Sequence, residues 1–141
     1  MFKKVLVAAD GSPTAKRAVE AAASLAAMSG GTLHIVTALT PKDVSDQHLP
    51  GEFRNLENDG GGGALLQDLS FIAKTHGLEP VLHHTSGDPA DAIIKTAAQI
   101  DADLVVVGNR GMKGARRVLG SVPNTVAHGV NCSVMVVDTS E

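Results

Sequence analysis

The chain has 141 residues, 43% of them hydrophobic, with a formal net charge of −3, so a single globular domain spanning 1–141 with a real core is expected. The mild acidity argues against a general nucleic-acid or membrane-surface role, and no stretch approaches the roughly 20 apolar residues of a membrane span. One cysteine, Cys132, forbids an internal disulfide and fits a reducing, cytoplasmic setting.

The opening MFKKVLVAADGS is basic and then apolar, as in a signal peptide, but the run Val5 to Ala9 is short for one and Asp10 interrupts it. Lys4 to Ala9 instead has the length and apolar continuity of a strand covered on both faces. Asp10-Gly11-Ser12-Pro13 ends it, with Ser12 placed as a helix N-cap and Pro13 as the first helical residue. Ala15, Ala18, Val19, Ala22, Leu25 and Ala26 then recur at helical spacing until Gly30-Gly31 stop the helix. Thr32 to Thr37 is the second strand.

From Thr40 to Gly63 the pattern fails. Two prolines, mixed charges and the tetraglycine Gly60 to Gly63 predict a long functional or mobile loop, with the glycines as a hinge or a disordered tether before the next helix. The next helix runs from about Ala64 to His76, with Leu65, Leu66, Leu69, Ile72 and Ala73 inward and Gly77 at its end. Pro80 to Thr85 is the third strand. Asp88 and Pro89 repeat the helix-starting device, and Ala90, Ile93, Ile94, Ala97 and Ala98 form the third helix's apolar stripe. Asp103 to Val107 is the fourth strand, about Ser121 to His128 a short helix, and Ser133 to Val137 the last strand. Strict alternation of strand and helix predicts a parallel sheet with helices on both faces and right-handed crossovers. Ligands of such sheets bind beyond the C-terminal strand ends.

One such end stands out. After Val107 come Gly108, Arg110, Gly111, Lys113, Arg116 and Arg117, and then Gly120-Ser121 at a helix start. No Asp or Glu occurs from Leu104 to Val137. A glycine-rich loop with free N–H groups, cations and a helix N-terminus is a device for holding phosphate. Ser121 can donate its hydroxyl and N–H there or act as a plain N-cap. The bland readings are that Gly108 and Gly111 only permit a tight turn, and that two of the four cations merely face solvent. Asp10, beside the same rim, can start an Asx-turn or serve a ligand.

VLVAADGS at Val5–Ser12, ADLVVVGNRG at Ala102–Gly111, LGSV at Leu119–Val122 and NCSVMVV at Asn131–Val137 resemble the universal stress protein family over essentially the full chain. The resemblance implies a five-stranded parallel, Rossmann-like sheet of order 3-2-1-4-5 and a homodimer paired through the last strand, here Val134 to Val137. It also implies ATP binding, or AMP or cyclic AMP in a minority of members, through a motif Gly-x2-Gly-x9-Gly-(Ser/Thr). The chain matches with Gly108, Gly111, Gly120 and Ser121, but only eight residues separate the second and third glycines. Ser133 stands where many members have proline.

By the same resemblance, Asp10 would accept a ribose hydroxyl or reach a magnesium ion on the phosphates. The backbone near Thr37 and Ala38 would meet the adenine edge, and Ala8 and Val107 would flank the purine. Val122 would join Gly120 and Ser121 in the site, with Arg110 the cation in the motif itself. The last strand lies at a sheet edge in this order and has no Lys or Pro to guard it, which agrees with a dimer.

Other functions are less well served. No GxxxxGK[ST] loop, GxSxG elbow or paired carboxylates accompany the glycine loop, so an enzyme is not expected, a slow ATPase aside. Without Trp or Tyr, and with Phe2, Phe53 and Phe71 the only aromatics, flavin and RNA ligands lack a stacking platform. The six histidines show no metal spacing; His83 and His84 are adjacent and so face opposite sides of a strand. Cys132 reads as an inert core thiol. A dimeric interaction module without ligand remains the third reading, favoured by the shorter loop.

Overall fold

The computed structural model describes residues 2–9, 15–39, 62–109 and 122–138. Five strands, β1 (Lys4–Ala9), β2 (Thr32–Leu39), β3 (Val81–Ser86), β4 (Leu104–Gly108) and β5 (Ser133–Val137), alternate with four helices. These are α1 (Ala15–Ser29), α2 (Gly62–Thr75), α3 (Pro89–Ile100) and α4 (Val122–Gly129). The sheet is parallel throughout, in the order β3-β2-β1-β4-β5, as expected from the sequence. β2 runs two residues beyond its expected end at Thr37, and α2 begins at Gly62, so two glycines of the expected hinge lie in its first turn.

Strand parity divides the core. Val5, Val7, Ala9, Leu33, Ile35, Leu104 and Val106 pack under α1 and α2 with Leu69 and Ala73. Leu6, Val36, Val105 and Val107 pack on the other face against Ala90, Ile93 and Ala97 of α3 and Val126 of α4. β1 and β4 are buried on both faces, which is why they read as unbroken apolar runs. Fully burying each such side chain contributes roughly 1.5–3 kcal/mol. Small residues on α1, Ala18, Ala22, Ala23 and Ala26, are all buried and let that helix lie close on the sheet. The buried stripe of α3 differs from the sequence pattern: Ala98 is exposed, while Ala92 and Thr96 are buried. This helix packs against α4 as well as the sheet, and Gly129 lies directly against Ile94.

Three helices end in the same way. Past α1, Gly30 at φ 64° donates to Ala27 O and Gly31 to Ala26 O. Past α2, Gly77 at φ 79° donates to Lys74 O and Leu78 to Ala73 O. Past α3, Asp101 at φ 55° donates to Ala98 O and Ala102 to Ala97 O. This double closure satisfies the last helical carbonyls and turns the chain into the next strand. Asp101 does it without glycine, a conformation that Asp tolerates better than most residues.

Candidate functional site

The rim formed by the C-terminal strand ends is the candidate site. Residue levels follow from the register: Ala9 pairs with Thr37, Thr37 with His84, and Gly108 with Val137. β4 ends at Gly108 and α4 begins at Val122. Because β4 and β5 are parallel, the helix between them runs back along the sheet and starts at this rim. The segment carrying Gly111, Gly120, Ser121 and the cations Arg110, Lys113, Arg116 and Arg117 therefore has both its ends here. That segment and Asp10 lie outside the described residues.

Of the residues named from sequence, the structure brings Ala8, Thr37, Ala38, Val107, Gly108 and Val122 to this rim. They fall on two faces. Val107 is buried in the α3–α4 cluster, and Ala8 and Val122 pack against it. Thr37 turns the other way, along the row of Leu33 and Ile35 that α1 covers, and is only 2% exposed. The Thr37 carbonyl is turned toward β3, where the Thr85 hydroxyl donates to it at 3.3 Å. Peptide groups alternate in direction along a strand, so those of Ala38 turn toward β1, just past the last described pair of that ladder, Ala9 with Thr37. This is the backbone that the sequence reading offers to an adenine edge.

One feature of the rim escaped the sequence. The Thr37 hydroxyl is enclosed and has no hydrogen-bond partner among the described residues. A buried hydroxyl left unpaired costs roughly 1–3 kcal/mol, so its presence fits a site whose polar complement is a ligand. The only signal in the sequence was a polar residue closing an apolar strand. At the same rim Asp88 caps α3, accepting from the Asp91 N–H at 3.0 Å with Pro89 next to it, as the sequence predicted.

Away from the rim, His34 Nδ1 and His83 Nε2 lie 3.0 Å apart on β2 and β3, their rings stacked at 5.2 Å. Burial holds both rings below the usual histidine range, with the neighbouring His83 and then Lys4 adding to the effect on His34. The sequence reading treated these histidines singly and missed the pair, since register alone sets them diagonal. Cys132 is half-buried; burial, and then the Asp103 carboxylate, push its thiol up, which keeps it protonated and unreactive. Among the described residues no group of three or more His, Cys, Asp or Glu side chains gathers as a metal site, and no helix is long and apolar enough to cross a membrane.

The comparisons with known proteins agree with this architecture. The model of the universal stress protein family matches residues 1–138. Universal stress protein YxiE of Bacillus subtilis is 32% identical, the match covering 97% of this chain and 99% of that one. Universal stress protein Rv1636 of Mycobacterium tuberculosis is 31% identical, covering 99% and 98%. A crystal structure of a universal stress protein in complex with cAMP superposes with a TM-score of 0.76 at 34% identity, covering 99% of this chain and 98% of that one. With the strand order, the motif residues and a family match over nearly every residue in agreement, the chain belongs to the universal stress protein family.

Proposed function

We propose that this protein binds an adenine nucleotide across the C-terminal rim, ATP foremost, and acts as a dimeric stress-response regulator in the cytoplasm, not as an enzyme. The observation that carries the reading is the placement of Gly108 and Val122, the two ends of the glycine- and cation-rich segment, at one rim beside Ala8 and Thr37. The cAMP complex of a relative at 34% identity supports an adenine nucleotide as the ligand class.

In this reading Gly108, Gly111, Gly120 and Ser121 supply N–H and hydroxyl donors to phosphate, and Arg110 supplies charge. Asp10 serves the ribose or a magnesium ion that neutralises the phosphates. Ala8, Val107 and Val122 form an apolar floor, and the backbone at Thr37 and Ala38 reads the base. The dimer forms along β5, where Val136 is 51% and Met135 36% exposed on an edge strand; pairing two copies covers a bare apolar edge.

Calorimetric titration with Mg-ATP, AMP and cyclic AMP tests the ligand, alongside mass spectrometry of small molecules released on denaturation. Wild-type protein binds at least one of the three, and Gly111→Ala weakens it tenfold or more (about 1.4 kcal/mol). A wild type silent toward all three would leave the interaction-module reading, which the eight-residue spacer favours. A monomeric mass at micromolar concentration would remove the dimer.

A further inference from the structure

β3 is an edge strand, and none of its residues from Val81 to Thr85 is buried. Val81 is 44% and Leu82 40% exposed. The strand is held by its ladder to β2 and by packing against α3. Side-chain bonds to β2 therefore weigh more here than in the buried middle of the sheet. Such bonds run from the Thr85 hydroxyl to the Thr37 carbonyl, and between His83 Nε2 and His34 Nδ1 at 3.0 Å.

The histidine bond depends on how many protons the pair holds. A neutral imidazole has one N–H and one free lone pair, so two neutral rings join when one donates to the other. A first added proton goes to the outer nitrogen of the donating ring. The bond survives and becomes charge-assisted. A second proton finds only the accepting nitrogen. Taking it removes the acceptor and sets two like charges against each other.

Both rings lie on the face that α3 covers, in the row of Leu6 and Val36. Lys4 on β1 adds to the repulsion felt by His34, and burial opposes charge on both rings. The charged residues along α3 and at its end, Asp91, Lys95 and Asp101, are exposed. His84 alternates to the opposite face of β3, and β2 carries no titratable side chain besides His34. The second step therefore falls on the acid side of histidine's ordinary range.

We propose that the His34–His83 bond is a proton-operated clasp on the edge strand β3, kept through the first protonation and released by the second. Acid then loosens β3 while β1 and β4 hold. An opened β3 bares the outer N–H and C=O groups of β2, an edge that invites pairing. The device works without a bound ligand.

Amide hydrogen exchange, corrected for its intrinsic pH dependence, tests this at about pH 7.5, 6 and 5, with NMR titration of the two rings. The proteins are wild type, His83→Gln and His34→Asn, whose amides stand near Nε2 and Nδ1 respectively. In wild type, exchange in β3 rises about tenfold between about pH 6 and 5 while β1 and β4 stay flat, and the rings titrate in two coupled steps. An amide donates to a neutral imidazole and accepts from a charged one. Each variant therefore keeps its bond in acid, and its β3 exchange changes by no more than about threefold. A wild-type β3 that opens no more than β1 and β4 would overturn the proposal. So would equal acid opening in the variants, or two rings that titrate independently.

Discussion

At the N-terminal rim of the sheet the Asp103 carboxylate, the Lys3 carbonyl and the Thr32 hydroxyl all find partners across strands, whereas at the C-terminal rim the Thr37 hydroxyl finds none among the described residues. Asp103 accepts from the Lys3 N–H at 2.8 Å and the Lys4 N–H at 3.1 Å, and its own N–H donates to Lys4 O at 3.0 Å. Thr32 donates to Lys3 O through both its N–H and its hydroxyl, and Lys3 Nζ reaches Ser29 O at the end of α1. The same strands run through both rims. One end uses its polar groups to hold β1, β2 and β4 in register, and at the other the Thr37 hydroxyl is left unpaired among the described residues. In an α/β sheet that division is what lets a ligand site coexist with a rigid scaffold.

The largest effect should come from breaking the closed rim. A Cβ on Gly31 would run into the Phe2 carbonyl oxygen and come within 2.8 Å of Lys3 Cα. These are backbone atoms, and the Lys3 carbonyl, also 2.8 Å from that Cβ, is already tied to Thr32, so Gly31→Ala should cost about 3 kcal/mol in denaturant unfolding. An unchanged unfolding midpoint would contradict this close approach. Next, Asp103→Ala removes two charge-assisted bonds and should cost about 2 kcal/mol, with Asp103→Asn recovering part of it. Because the loss is at the other rim, nucleotide affinity measured on the folded protein should not follow it; a matching fall in affinity would contradict the division.

Asp88→Ala sharpens the comparison, since Asp88 is a C-terminal-rim group whose partner is local and already present. Loss of this cap should cost about 1 kcal/mol and show as a lower melting temperature. The smallest effect concerns pH. His34 and His83 both sit below the ordinary histidine value of 6.5 in the folded protein. Their contribution is therefore full above about pH 6.5. It declines as the pH falls below that, because the unfolded chain takes up protons first. Allowing for solvent screening of these half-exposed rings, the loss between about pH 7.5 and 5.5 should be smaller than that of the Asp88 cap. Unfolding curves of wild type and His83→Gln at the two pH values check it: the variant should show the smaller change, and an equal or larger one would absolve the pair.

Elements were legible where the signal is local. The apolar runs of β1 and β4, the Asp88-Pro89 helix start and the stops at Gly30 and Gly77 each rest on chemistry within a few residues, and all appear in the structure. Asp101 closes α3 in a left-handed conformation that no glycine announced. The strand order came through family resemblance and not from periodicity, since alternation of strand and helix leaves the order of a parallel sheet open. At the site, Gly108 and Val122 at one rim were anticipated from strand ends, but the face each residue takes was not. Ala8 and Val107 go to the α3–α4 side and Thr37 to the α1 side because parity along each strand acts only once the sheet has two covered faces.

The sequence by itself thus determined the alternating elements, their caps and the glycine- and cation-rich segment after β4, because periodicity and turn chemistry act over neighbouring residues. Tertiary structure alone decided the Asp103 link to Lys3 and Lys4 across a hundred residues, the His34–His83 pair across forty-nine and the stranded hydroxyl of Thr37. Each of these depends on which strands become neighbours and in what register, and no local pattern encodes that.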